Sequence, residues 1–128
     1  MAVSLATALR NARADAITTY SGDGALLRLY TASYSTLLVE LVCDAPLAPG
    51  ASGGVLTFNP VASGECVASG DAALAKLFKS DGTTMVIQGL TVTDSSGSGQ
   101  VKLDQTGTAL STGQTVTLTS ATSTEGNA

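Results

Sequence analysis

The chain has 128 residues, of which 12% are charged, with a formal net charge of -4 and no histidine. This length suits a single domain, and the absence of histidine excludes Ser-His-Asp and Cys-His catalysis and histidine-based zinc sites. The acidic balance and scattered cations argue against a nucleic-acid partner, and no apolar run is long enough to span a membrane. Because soluble domains usually carry about 25% charged residues, the low charge indicates a protein that assembles with others.

The N-terminal segment predicts a helix. Ser4 has the residue type of an N-cap, and apolar side chains follow at helical spacing in an Ala-rich context, so we predict a helix over 4–18 within an N-terminal helix or arm at 1–20. The apolar run near the start lacks a preceding positive segment and is soon interrupted by Arg10 and Arg13, which argues against a signal peptide. We therefore expect synthesis and folding in a cytoplasm.

After Tyr20 the chain changes to Thr, Val, Leu and Gly with frequent turn signals, a composition typical of short strands. We predict strands at 25–31, 36–43, 54–58, 65–68, 73–79, 83–88, 101–104 and 115–121. About eight short strands separated by Gly, Pro, Ser and Asp predict a mainly β fold, a β-sandwich or barrel over 21–122. Composition also predicts a mobile loop at 94–99 and a flexible tail at 123–128.

One phrase occurs twice: SGDGALLRLY at 21–30 returns as SGDAALAKLF at 69–78, and the likeness continues into TLLVE and TMVIQ. Each copy predicts a turn, a strand, a polar turn and a second strand, so the two copies are interpreted as similar β-hairpins. Arg28 and Lys76 then lie at equivalent outward positions. Chance similarity is the alternative, whereas a calcium loop needs more carboxylates and a phosphate loop needs a following helix.

Few residues in this sequence carry chemistry. Cys43 and Cys66 are predicted to be reduced, buried thiols, with a disulfide between them as the alternative. A carboxylate dyad is compatible with the composition, but most acidic residues fall in predicted turns, where Asp is common. With no Trp, three Tyr and two Phe, the chain lacks the exposed aromatic faces that stack on sugars or single-stranded nucleic acid. We therefore predict a non-enzymatic scaffold or interface protein that needs no cofactor or metal.

The order of several motifs carries a resemblance. After the Ala-rich N-terminal helix come LRLY at 27–30, LLVEL at 37–41, GGV at 53–55, KLFKSDG at 76–82, VIQG at 86–89 and LSTGQTVTL at 110–118. This order resembles small structural proteins of tailed bacteriophages, among them capsid cement or head decoration proteins. Related sequences often carry Trp and Phe where this chain has Leu74 and Ala75, and the loop at 94–99 is longer than expected.

The resemblance implies a jelly-roll-like β-sandwich on the outside of a virion capsid, assembled in the host cytoplasm. Its implied partners are the major capsid protein and itself, as a homotrimer, while the composition of the chain predicts neither a nucleic-acid nor a membrane partner. Candidate capsid or subunit interface residues are Arg10, Arg13, Arg28 and Lys76. The helix either docks on acidic capsid surface or simply caps the sandwich. A tail, baseplate or fibre component is the alternative function, and a glycan-binding module or enzyme ranks third.

Overall fold

The structure, a computed structural model, describes residues 6–124. It confirms a mainly β, sandwich-like fold with one N-terminal helix. Within the described residues the elements are α1 (Thr7–Ser21), β1 (Leu26–Tyr30), a 3-10 turn (Ala32–Tyr34), β2 (Leu37–Val42), β3 (Val55–Thr57), β4 (Gly64–Glu65), β5 (Gly70–Asp71), β6 (Leu74–Phe78), β7 (Met85–Thr93), β8 (Val101–Leu103), β9 (Ala109–Leu110), β10 (Thr115–Val116) and β11 (Leu118–Thr124).

The helix is displaced toward the C-terminus relative to the predicted 4–18. The predicted N-cap, Ser4, lies outside the described residues, and Ala6 precedes the first helical residue without a side-chain cap. The helix ends at Ser21 and is followed by the C-cap residue Gly22, whose positive φ of 67° suits glycine. The N–H of Gly22 donates to the carbonyl of Thr18, and this bond satisfies one of the carbonyls at the helix end.

Each predicted strand overlaps an observed one, although the segment at 65–68 does so only at Glu65. The largest difference is in β7, which is predicted at 83–88 but continues to Thr93. The strand passes Gly89 because its register with β6 is irregular and Gly89 adopts a positive φ of 80°. The segment predicted at 115–121 is divided at Thr117 into β10 and β11. β11 also extends through the first two positions of the predicted tail to Thr124, and 125–128 lie outside the described residues.

Seven strands form one curled sheet in the order β2-β1-β6-β7-β8-β11-β3, in which only the β7–β8 pair is parallel. Two short two-stranded ribbons, β4–β10 and β5–β9, complete the enclosure of the hydrophobic core. Because β10 runs almost directly into β11, one segment pairs in turn with β4, β8 and β3. The edge of β2 accepts hydrogen bonds from the N–H groups of Ala62 and Val67, so this edge is covered by neighbouring chain.

Side chains alternate strictly along β1 and β6, the second and third strands of the sheet. Leu27 and Leu29 of β1 and Ala75 and Leu77 of β6 are fully buried, whereas the residues between them are half-exposed. The ribbons and α1 contribute further core side chains, including Ala14, Cys66, Leu110 and Val116. The sheet therefore has an inner face toward the core and α1, and an outer face toward solvent.

The helix is held against the sheet by side-chain hydrogen bonds to the segment before β3. Asn11 Oδ1 accepts from the N–H of Gly54 at 2.8 Å, and Asp15 Oδ1 accepts from that of Ala51 at 2.7 Å. The buried Ala14 lies between these two residues and enters the core. The described part of the N-terminal segment therefore packs on the core side of the sheet.

The loop at 94–99 follows a defined course. Asp94 accepts hydrogen bonds from the N–H and hydroxyl of Ser96 and from the N–H of Gly107. A Cβ on Gly97 would lie 2.5 Å from the Cβ of Thr93, and one on Gly99 would lie 2.9 Å from the carbonyl oxygen of Thr91. The glycines here permit close packing, while the mobility that composition predicts for this loop stays a prediction.

Candidate interaction surface

The two copies of the repeated phrase pair with each other. β1 lies antiparallel to β6 with Arg28 directly opposite Lys76, while β1 pairs with β2 and β6 with β7. The prediction of two similar hairpins is confirmed, and the hairpins lie side by side about an approximate twofold axis at Arg28 and Lys76. The Ser-Gly-Asp portions differ in structure, because Ser21 ends α1 whereas Gly70 and Asp71 form β5. The shared structure therefore lies in the strands.

The solvent side of β2, β1, β6 and β7 forms what we call the outer hairpin face. The strand register arranges its residues in three rows: Val42, Leu26, Phe78 and Met85; Glu40, Arg28 and Lys76; and Leu37, Tyr30, Leu74 and Thr91. The first row is apolar throughout, and its two end residues, Val42 and Met85, are 49% and 42% exposed. Exposed apolar side chains that lie together in one row make this face a candidate contact surface.

Arg28 is neutralised within the outer hairpin face. Its Nε lies 2.6 Å from Glu40 Oε2, and its Nη1 donates to the carbonyl of Gly82 at 3.1 Å. The guanidinium also lies over the ring of Phe78, 4.7 Å from the ring centroid. These contacts draw the Arg28 head group away from Lys76, and this separation relieves the repulsion expected between like charges directly opposite in a sheet.

Lys76 lies against two tyrosine rings. Its Nζ is 4.3 Å from the ring centroid of Tyr34 and 5.4 Å from that of Tyr30, and the two rings meet edge to face at 5.5 Å. The hydroxyl of Tyr34 accepts a 2.6 Å hydrogen bond from the N–H of Gly89. Lys76 makes no ion pair with any residue of the described chain. Its charge is therefore the one on this face without a counter-ion from residues 6–124.

The position of Tyr34 depends on an uncommon backbone conformation. Ser33 and Tyr34 have φ values of 59° and 57°, in the left-handed region that non-glycine residues rarely occupy. Such conformations cost free energy and persist where surrounding contacts stabilise them. Here the contacts of Tyr34 with Lys76 and Gly89 join the turn between β1 and β2 to the second hairpin.

A cation lies over one face of each aromatic ring outside the core. Arg28 lies over Phe78, Lys76 lies over Tyr30 and Tyr34, and Lys79 Nζ lies 4.0 Å from the ring centroid of Tyr20. The remaining aromatic residue, Phe58, is buried in the core.

Reactive groups are few in the part of the chain that the structure describes. No cluster of three or more His, Cys, Asp or Glu side chains suited to a metal occurs there. Cys43 and Cys66 are both free and buried, so they form no disulfide, and burial raises the pKa of Cys43 to about 12 and also raises that of Cys66. A cavity of about 270 Å³ beside β3 and β11 has a lining without titratable side chains. No described helix is long and apolar enough to cross a membrane.

Two of the four predicted interface residues lie together and two lie elsewhere. Arg28 and Lys76 are neighbours on the outer hairpin face, whereas Arg10 and Arg13 belong to α1, on the core side of the sheet. Arg10 packs against Gly54, where an added Cβ would lie 2.6 Å from its guanidinium. Sequence reasoning missed Tyr34, because its contribution depends on a left-handed turn and on a strand far along the chain.

These features define a mainly β, sandwich-like domain. Its outer hairpin face carries both a row of apolar side chains and contacts between cations and aromatic rings. Comparisons of the chain with protein families, with curated proteins and with solved structures found no match.

Proposed function

We propose that this protein is a non-enzymatic structural protein of a virion, which binds the outer capsid surface between major capsid subunits and stabilises the shell. The observation that carries the proposal is exposed apolar surface on more than one side of a low-charge domain. Val42 and Met85 are exposed on the outer hairpin face, and Val67 is exposed outside that face, between β4 and β5. A protein located where several subunits meet needs contact surfaces on several sides.

The small number of charged residues also supports a role in binding a capsid surface. Burying a charge at an interface costs free energy unless it finds a partner, and a chain with 12% charged residues carries few charges to bury. Arg28 has its counter-ion, Glu40, within the domain. Individually weak contacts gain strength when one rigid body makes several of them at once on a lattice. The resemblance to phage cement proteins supplies the class of lattice, and it also implies a homotrimer.

Co-sedimentation tests the proposal directly. The purified protein is mixed with expanded, undecorated capsids, and an unrelated acidic domain of similar size serves as the control. We expect the protein, and not the control, to pellet with the capsids to a saturable level. Failure to co-sediment at saturating concentration would remove the proposal. Light scattering of the free protein tests the homotrimer separately.

The copy number on purified virions separates the shell from the tail. A shell protein is present in many copies that scale with the number of capsid subunits, whereas a tail, baseplate or fibre component is present in few. Quantitative mass spectrometry against the major capsid protein measures this ratio. A ratio of a few copies per virion would favour the tail component instead.

A further inference from the structure

We propose that the outer hairpin face is the surface that docks on the partner, and that the partner presents aliphatic side chains beside a carboxylate that meets Lys76. This inference rests on the proposed function, since it names the contact surface and the partner's chemistry. It also chooses between the two surfaces that bear the predicted interface residues, the outer hairpin face and α1.

The apolar row is continuous and central. With neighbouring strands about 4.8 Å apart, the row from Val42 to Met85 is about 15 Å long, and Leu26 and Phe78 fill the positions between its ends. Leu26 and Phe78 are partly exposed, and the guanidinium of Arg28 lies over the ring of Phe78, so the most exposed surface of the row lies at its two ends. Such a row releases water most effectively against another apolar surface.

The charges on the outer hairpin face indicate which group the partner presents beside its apolar patch. Arg28 is neutralised by Glu40, so the row next to the apolar one has a single uncompensated charge, Lys76, among the described residues. An interface that covered Lys76 without a counter-ion would bury an unpaired charge at substantial cost. A carboxylate on the partner removes this cost and fixes the register of the contact.

Lys76 is also preorganised. Its position over the rings of Tyr30 and Tyr34, and the hydrogen bond from Gly89 to Tyr34, restrict a side chain that is otherwise flexible. Ordering a long, flexible side chain on binding costs conformational entropy, and a lysine already held in place avoids much of that cost.

Size argues against a second copy of this chain as the occupant. Four strands of five residues span about 19 by 17 Å, or roughly 300 Å², whereas a stable interface buries about 800 Å² on each partner. The face therefore suits a small contact that is repeated on a lattice.

Charge substitutions at exposed positions test the assignment in the capsid co-sedimentation assay. On the outer hairpin face we use Met85→Asp and Lys76→Glu, and as matched controls on α1 we use Leu9→Asp and Arg13→Glu. Leu9 is 49% exposed, close to the 42% of Met85. We expect each outer-face variant to weaken binding at least tenfold and each helix variant to change it less than twofold.

A milder variant covers the case in which charge reversal disturbs folding. Lys76→Gln should weaken binding severalfold and reduce its dependence on salt, because a screened ion pair is lost. Cooperative urea unfolding with the wild-type m-value establishes that the variants are folded, even where the midpoint falls because a Lys76 contact is lost.

The possible results separate the two proposals. Wild-type protein that binds capsids, together with outer-face variants that bind equally well, overturns the docking surface and leaves the proposed function standing. Loss of binding in the helix variants alone assigns docking to α1 and likewise overturns it. Wild-type protein that does not bind overturns both.

Discussion

Replacing Tyr34 tests whether one side chain couples the two hairpins. The Tyr34 hydroxyl accepts a hydrogen bond from Gly89 in β7, its ring meets Tyr30 edge to face, and Lys76 in β6 lies over the ring. Tyr34→Phe removes only the hydrogen bond, whereas Tyr34→Ala removes all three contacts. Neither substitution makes the left-handed φ of 57° at this position more favourable, because Phe and Ala disfavour it as Tyr does.

The expected losses follow from these contacts. A net hydrogen bond contributes about 0.5–1.5 kcal/mol to the free energy of unfolding, and water can partly replace it at this half-exposed site. The edge-to-face pair adds about 0.5–1.5 kcal/mol and the cation–π contact about 0.5–1 kcal/mol. Tyr34→Phe should therefore cost about 0.5–1 kcal/mol, and Tyr34→Ala about 1.5–3.5 kcal/mol.

Urea unfolding followed by circular dichroism measures both losses at unchanged m-value. A double-mutant cycle with Lys76→Met isolates the cation–π contact, for which we expect a coupling of about 0.5–1 kcal/mol. If Tyr34→Ala unfolds within about 0.5 kcal/mol of the wild type, the turn does not couple the hairpins and the reasoning fails. A coupling of zero would discard the Lys76 contact alone.

Three further predictions concern a turn, the thiols and a tight loop. Hydrogen bonds from neighbouring threonines lower the pKa of Asp81 to about 2, so its ionised form stabilises the fold above pH ~4, and this contribution is lost as pH falls toward 2. The urea-midpoint difference between wild type and Asp81→Ala should therefore be present at pH 6 and shrink between pH 4 and 2; an unchanged difference contradicts it. Both cysteines are buried with raised pKa values, so a thiol reagent at pH 8 should label neither in native protein and both in denaturant; rapid native labelling would refute their burial. Gly97→Ala should cost about 1–3 kcal/mol by overpacking against Thr93, while Gly50→Ala, with open space around it, should be near neutral; equal unfolding curves would count against the packed loop.

Much of the fold could be predicted because its signals are local. Alternating apolar and polar residues mark β1 and β6 as half-buried strands, and the repetition of that pattern indicates two similar hairpins. The same periodicity places Arg28 and Lys76 on the outer side. Low charge and the absence of histidine narrow the possible functions, since composition limits chemistry wherever the residues lie.

Other features depend on contacts between distant segments. The pairing of β1 with β6, the continuation of β7 past Gly89 and the passage of β11 from β8 to β3 are set by partners far apart in the chain. A strand pattern states which face is apolar but does not name the neighbouring strand.

The features of the candidate surface likewise fall into those that the sequence predicts and those that the tertiary structure sets. Sequence alone determined that two cations occupy equivalent outward positions on two hairpins. Only the tertiary structure decided that they are cross-strand neighbours, that Glu40 neutralises Arg28, and that Tyr34 holds Lys76. The physical reason is that side-chain direction follows from local backbone period, whereas the neighbours of a side chain depend on how the sheet assembles.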